Sequence, residues 1–134
     1  MGVLIDTNVL IEYERGRLNL KPHLVQRGQE EFFLSVITAS ELLHGVHRAA
    51  NPQIRMKRSA FVEALLERFP LLPVDLATAR VHAQIWAELA RAGKLIGPND
   101  LWIAATALAR GLAIVTVNVR EFDRVPGLVV ELWT

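Results

Sequence analysis

The sequence contains no cysteine. Disulfides and thiolate-ligated metals are therefore excluded. No apolar run reaches the roughly 18 residues of a helical membrane span, so the chain reads as soluble, with no membrane partner. Its N-terminus lacks a basic stretch leading into an apolar stretch and a small-residue cleavage site. The expectation is a protein that is not secreted, which with the missing cysteines suits the cytoplasm. No glycine-rich phosphate loop is present, so nucleotide hydrolysis has no support. His44 and His47 stand three apart, but no HExxH motif surrounds them, and a zinc site is not expected there. Charge of one sign is also lacking, since the formal net charge is +1. Bulk charge therefore shows no large nonspecific nucleic-acid footprint. A local patch remains in Arg48, Arg55, Lys57 and Arg58. These cations either form a solvated helix face or meet phosphates.

What is present is apolar and regularly punctuated. The 134 residues are 51% hydrophobic, enough to bury a sizeable core in one compact domain covering residues 1–134. No repeat, linker or low-complexity segment divides them. Val3-Leu4-Ile5 reads as a buried strand, followed by a helix from Thr7 to about Glu14 and a second from Leu18 to Gln26. Phe32 to Leu34 is a second strand. Thr38 and Glu41 have the spacing of a capping box that opens the next helix. Another helix runs from Pro52 to about Phe69. Pro73 confines the strand from Leu71 to Val74 to a short or edge position. Asp75 can cap a helix carrying Val81, Ile85 and Leu89 on one face, with Gly93 placed to end it. Pro98-Asn99-Asp100 begins a helix that is apolar almost all round, closed by Gly111. Ala113 to Val117 is the clearest strand and Leu128 to Glu131 the last. Trp86, Trp102 and Trp133 read as core or interface residues. Short apolar strands alternating with helices give an α/β fold with a central parallel sheet and α-helices on both faces.

Three acids fall where chemistry collects in such a fold. Asp6 follows the first strand, Glu41 lies near the start of a helix, and Asp100 opens the buried helix. Sites in open parallel sheets form outside the carboxyl ends of strands, where helices begin. Helix N-termini favour ionised carboxylates, and ionised oxygens suit a hard cation such as Mg²⁺. Each acid also has a local explanation. Asp6 can be a plain N-cap, Glu41 the partner of Thr38 in the capping box, and Asp100 a first-turn acid favoured by the dipole.

Four segments break that tie. Residues 3–11, Val-Leu-Ile-Asp-Thr-Asn-Val-Leu-Ile, resemble the opening of PIN-domain proteins. Residues 35–45, containing Thr38 and Glu41, are similar to the second block of VapC-type toxins. Residues 96–107, Ile-Gly-Pro-Asn-Asp-Leu-Trp-Ile-Ala-Ala-Thr-Ala, resemble the third, and residues 114–122 the fourth. The blocks occur in the family's order across almost the whole chain. The resemblance implies a PIN fold and RNA cleavage dependent on Mg²⁺ or Mn²⁺. It also implies a VapB-type antitoxin partner and a homodimer, as for the toxin of a type II toxin–antitoxin pair. It carries the metal-site acids over to Asp6, Glu41 and Asp100.

The fourth position departs from the pattern. Many PIN domains have an aspartate where this chain has Asn118, whose carbonyl oxygen can coordinate but adds no charge. Glu121 is the nearest carboxylate and a candidate fourth acid. Asn118 directly follows the strand and is expected to lie closer. Thr116 is a candidate for a hydroxyl contact to the acids or to the reacting water, or simply a β-branched strand residue. Asn8 could contact the site from the first helix. Arg120, with Arg55, Lys57 and Arg58, is a candidate RNA contact. The stretch from Leu89 to Pro98 is similar to VapC toxins of the enteric type, and a structured RNA such as transfer RNA is the expected target.

Other functions fit less well. A phosphoacceptor domain would use Asp75, but it requires adjacent acids after the first strand and a lysine near the last, and neither is present. A phosphatase with two aspartates two residues apart fails because position 8 is Asn. A non-catalytic RNA-binding or antitoxin-binding module on the same fold is compatible with every motif.

Overall fold

A computed structural model describes residues 2–134. Five strands form one parallel sheet: β1 (Gly2–Ile5), β2 (Glu31–Ser35), β3 (Leu71–Leu72), β4 (Ala113–Thr116) and β5 (Val130–Leu132), in the order β3-β2-β1-β4-β5. The first strand is central because both of its faces are apolar. Val3 and Ile5 join a core with Leu42 and Val46 from α3 (Val36–His47) and Val62 and Leu65 from α4 (Pro52–Arg68). Leu4 turns to the other face, against Ile85 and Leu89 of α5 (Leu76–Ala92) and Ile103 and Ala104 of α6 (Pro98–Arg110). Helices cover both faces, as the alternation of elements requires. The remaining helices are α1 (Thr7–Glu14), α2 (Leu20–Gln26) and the short α7 (Val119–Phe122).

Chain order reverses at β1. From it the chain steps outward through β2 to β3, then returns to place β4 and β5 on the other side. The carboxyl ends of β1 and β4 therefore flank a topological switch point, where crevices form in open sheets. Their register, Ile5 opposite Val115, sets Asp6 beside Thr116 as the strands end.

Several boundaries differ from the sequence pattern. The expected capping box does not form. Helix α3 begins at Val36, and Ser35 is its cap, accepting a hydrogen bond from the Ile37 amide at 3.0 Å. Thr38 and Glu41 lie inside the helix, so Glu41 is not a capping residue and not in the first turn. Strand β2 runs directly into α3, which moves the cap to the last strand residue. The second helix starts at Leu20 rather than Leu18, and β5 lies one to two residues later than expected. Trp133 is buried, but Trp86 is 53% exposed and does not belong to the core. Strand β3 has only two residues and lies at an edge, as Pro73 demanded.

Ser35 is fully buried, so its loss leaves an unpaired amide. We expect Ser35→Ala to destabilise the protein by about 1 kcal/mol. It should appear as a lower urea midpoint at unchanged slope, while Ser40→Ala, on the exposed face of the same helix, leaves the midpoint where it was.

Candidate active site

Asp6 ends β1 with extended backbone and occupies the N-cap position of α1, yet its side chain makes no capping hydrogen bond. The carboxylate is instead buried against the end of β4. Thr116, the last residue of β4, donates its hydroxyl to Asp6 Oδ2 at 2.8 Å. The Asn118 amide in turn donates to Thr116 Oγ1 at 3.0 Å. Asp6 Oδ1 is buried and has no hydrogen-bond partner. With Asp6 only 1% exposed, burial is the largest influence on its acidity and raises its pKa to about 6. The Thr116 hydrogen bond opposes the shift, and the charge of Glu41 adds to it.

Glu41 is held by a hydroxyl from the first helix. Thr7 donates to Glu41 Oε1 at 2.7 Å, and its oxygen lies 2.9 Å from that of Thr38. Thr7 and Thr38 are both buried, so this contact fixes α1 against α3 as well as the carboxylate. Asn99 donates to Glu41 Oε2 at 3.4 Å from the first turn of α6. The role of Thr7 is not evident from sequence spacing, because its partner lies 34 residues away.

Asp100 follows Pro98 and Asn99 in that same first turn, where α6 begins without a side-chain cap. Its pKa rises to about 8. Burial is the main cause, followed by a hydrogen bond with Glu121 and the negative charges of Asp6, Glu121 and Glu41. Thus Asp6, Glu41, Asp100 and Glu121, drawn from four separate segments of the chain, act on one another. Glu121 engages Asp100 directly from α7. The Asn118 side chain is exposed and makes no hydrogen bond, contrary to the expectation that it lies closer to the site than Glu121. The four-residue helix α7 carries Glu121 back toward α6, and no strand-end argument anticipates that turn. Asn8, beside Asp6 in sequence, is exposed and lines a groove next to Glu41.

The donor set is of hard oxygens, and the orphaned Oδ1 of Asp6 is a buried acceptor awaiting a cation or a donor. The residues fit a divalent ion in kind. Among the described residues, no three carboxylates or imidazoles stand close enough together to form a ligand set.

The cations behave differently from the acids. Arg58 donates to Glu14 and to the Gly45 carbonyl, and Arg55 donates to the Ala49 carbonyl. Both fasten α4 to its neighbours. Lys57 and Arg120 are exposed. Asp75 caps α5 through Thr78 and pairs with Arg110 at the far end of α6 from Asp100, so it is remote from the acid cluster. Its pKa is lowered by the hydrogen bonds from Thr78. Engaged as a cap and paired with Arg110, Asp75 has none of the clustered acids beside it that a phosphoacceptor needs.

Comparison with known proteins agrees with this arrangement. Residues 3–128 match the PIN domain family. Ribonuclease VapC1 of Rickettsia felis is 38% identical over 96% of this chain and 93% of its own. The tRNA(fMet)-specific endonuclease VapC of Shigella flexneri is 37% identical over 98% of this chain and 97% of its own. The crystal structure of DNA-bound VapBC from Salmonella typhimurium superposes with a TM-score of 0.90 at 34% identity, covering 100% of this chain and 99% of that one.

Charge crowding has a consequence for stability. Asp6 and Asp100 hold protons in the folded state at pH values where the unfolded chain has released them. Stability is therefore greatest below the unfolded carboxylate value and falls as pH rises through about 6 and about 8. Without divalent metal, the melting temperature should decline from pH 5 to pH 8. Asp100→Asn should flatten that decline and melt about 4 °C higher at pH 8, for roughly 1 kcal/mol of relieved repulsion. A steeper decline in the variant, followed by circular dichroism, would contradict a shared site.

Proposed function

The chain belongs to the PIN-domain family, in its VapC branch, and on that premise we propose that it is a metal-dependent endoribonuclease, the toxin of a type II toxin–antitoxin pair. The observation that carries the reading is that Asp6, Glu41 and Glu121 all raise the pKa of Asp100 through their charge, with one oxygen of buried Asp6 left without a partner. Mutual repulsion of this kind costs stability and is retained where function needs it.

Asp6, Glu41 and Asp100 would hold Mg²⁺, with Mn²⁺ able to substitute, and Glu121 completes the anionic set. The bound ion supplies Lewis acidity, lowering the pKa of water and offsetting charge on the phosphate. The chain's own residues do the positioning. Thr116 holds one oxygen of Asp6 and leaves the second buried without a partner. Thr7 fixes Glu41 and leaves its other oxygen to Asn99. The elevated pKa of Asp100 means that its proton must leave before the carboxylate can act as a ligand. The Asn118 amide supports Thr116 rather than supplying charge.

The proposed substrate is a structured RNA, with transfer RNA favoured because a close relative in sequence carries that specificity in its name. A VapB-type antitoxin is the proposed inhibitory partner, since the similar solved structures are VapBC complexes. A homodimer acting in the cytoplasm completes the proposal.

Two measurements test it. Asp100→Asn, nearly constant in volume, should lower Mg²⁺-dependent RNA cleavage by at least about 100-fold while circular dichroism stays that of the parent. A folded variant that still cleaves at the parental rate would remove Asp100 from the site. Parental chain that binds RNA but cleaves none with Mg²⁺ would favour the non-catalytic module. By calorimetry, Glu121→Gln should weaken Mg²⁺ binding more than Asn118→Ala does, because only Glu121 adds charge beside Asp100. The reverse order would return the fourth position to Asn118.

A further inference from the structure

A groove of about 280 Å³ leaves the acid cluster between α1, α3 and α4. Glu41 and Asn99 line its near end and also border the crevice at Gly97–Asp100, so the two spaces adjoin. Two helix faces form its walls. On α1 the lining includes Asn8, Ile11, Glu14 and, just past the helix, Arg15. On α3 they are Glu41, Gly45 and, just past the helix, Arg48. Both faces follow the spacing of side chains that share one side of a helix. Helix α1 starts beside Asp6 and α3 passes the acids at Glu41, and each wall ends in an arginine. Seven residues separate Asn8 from Arg15 and Glu41 from Arg48, about 10 Å along each helix.

Those two arginines differ from the other cations nearby. Arg58, on the third wall, is engaged by Glu14 and the Gly45 carbonyl. That pairing offsets the one acid at the far end of the groove. Among the described residues, neither Arg15 nor Arg48 makes a salt bridge or a side-chain hydrogen bond, and both are exposed. Their guanidinium groups are free to bind an anion. Gly45, midway along the α3 wall, keeps the floor low: a Cβ added there would meet only the Arg58 side chain, at 3.9 Å.

We propose that this groove is the path of the RNA strand as it leaves the scissile position, with Arg15 and Arg48 binding backbone phosphates. The assignment rests on the nuclease reading above and adds to it the subsite that holds the flanking strand. A distance of about 10 Å spans roughly three stacked nucleotides at about 3.4 Å each. The cations thus meet phosphates that the carboxylates do not touch. Position matters because the acid cluster repels the polyanion it must cut. Free cations a few nucleotides away supply the attraction, and guanidinium groups bind phosphate oxygens with a fixed fork of donors. A narrow trough with free cations at its end suits a single strand or an unpaired loop better than a duplex. Lys57, exposed on α4, does not line the groove. Arg55 and Arg58 serve the fold. The phosphate contacts therefore move from the basic run in α4 to the ends of α1 and α3.

The test is the salt dependence of kcat/KM under Mg²⁺ on a single-stranded RNA, for the parent, the Arg15→Gln/Arg48→Gln double variant, and Lys57→Gln. Fluorescence anisotropy on the same RNA in an Asp100→Asn background reads binding without cleavage. The double variant should bind about tenfold more weakly, and its log–log salt slope should be shallower by about 1.4, since each single-strand phosphate contact contributes about 0.7. Lys57→Gln should keep the parental slope. A double variant with parental affinity and slope, or a flattened slope in Lys57→Gln alone, overturns the assignment and leaves the groove to a protein partner. Absence of cleavage by the parent defeats the nuclease reading instead, and anisotropy still decides whether the groove binds RNA.

Discussion

A buried carboxylate at the seam between two strands is the constraint on which the rest of this structure depends. Taking Asp6 out of water is costly unless its oxygens find partners. The fold satisfies one oxygen with the hydroxyl of Thr116 and leaves the other bare. That arrangement requires β1 and β4 to be neighbours in register, because Thr116 reaches Asp6 only where the two strands end together. It also requires β1 to be covered on both faces, which the alternation of Val3, Leu4 and Ile5 between two cores achieves. The central strand is thus as much a holder for one acid as a part of the hydrophobic core.

The neighbouring acids compound the cost. Asp100 feels Glu121, Asp6 and Glu41 together with its own burial. No cation figures among the influences on Asp6 or Asp100, and Arg58, which lines the adjoining groove, is spent on Glu14 and the Gly45 carbonyl. Hydroxyls do the holding instead. Thr7 and Thr116 each orient one carboxylate oxygen and add no charge, so they fix geometry without lowering the cluster's appetite for a cation.

Much of this was legible in the sequence. Apolar strands alternating with helices gave a parallel sheet covered on both faces, and Pro73 marked the edge strand. The positions of Asp6 and Asp100 followed from where strands end and helices start. Glu41 was singled out by the resemblance and by a place near a helix start, and its rival explanation as the capping-box partner of Thr38 fails because the true cap is Ser35. Local capping rules cannot see that β2 passes into α3 without a loop. The contact of Glu121 with Asp100 and that of Thr7 with Glu41 are tertiary, set by helix packing, and spacing in sequence carries no trace of either. The basic run from Arg55 to Arg58 shows the same limit, because charge density does not reveal which cations are already paired.

Net charge gives way here to the position of individual charges. A chain with net charge +1 has no long-range field to draw in a polyanion, and its acid cluster opposes one locally. Attraction must then come from cations that the fold leaves unpaired, close enough to act together and far enough from the carboxylates to avoid being neutralised by them. Helix length sets that separation. In α1 and α3 the acid-bearing end and the basic end lie about two turns apart, so the same two helices that hold Thr7 and Glu41 at the cluster present Arg15 and Arg48 at the other end of the groove. An arginine one turn nearer would pair with Glu41 and quench the site. One two turns further would lose its coupling to a strand bound at the acids. Burial of Asp6 and placement of the free arginines are thus two results of one arrangement, in which α1 starts beside Asp6, α3 passes the acids at Glu41, and both run away from them.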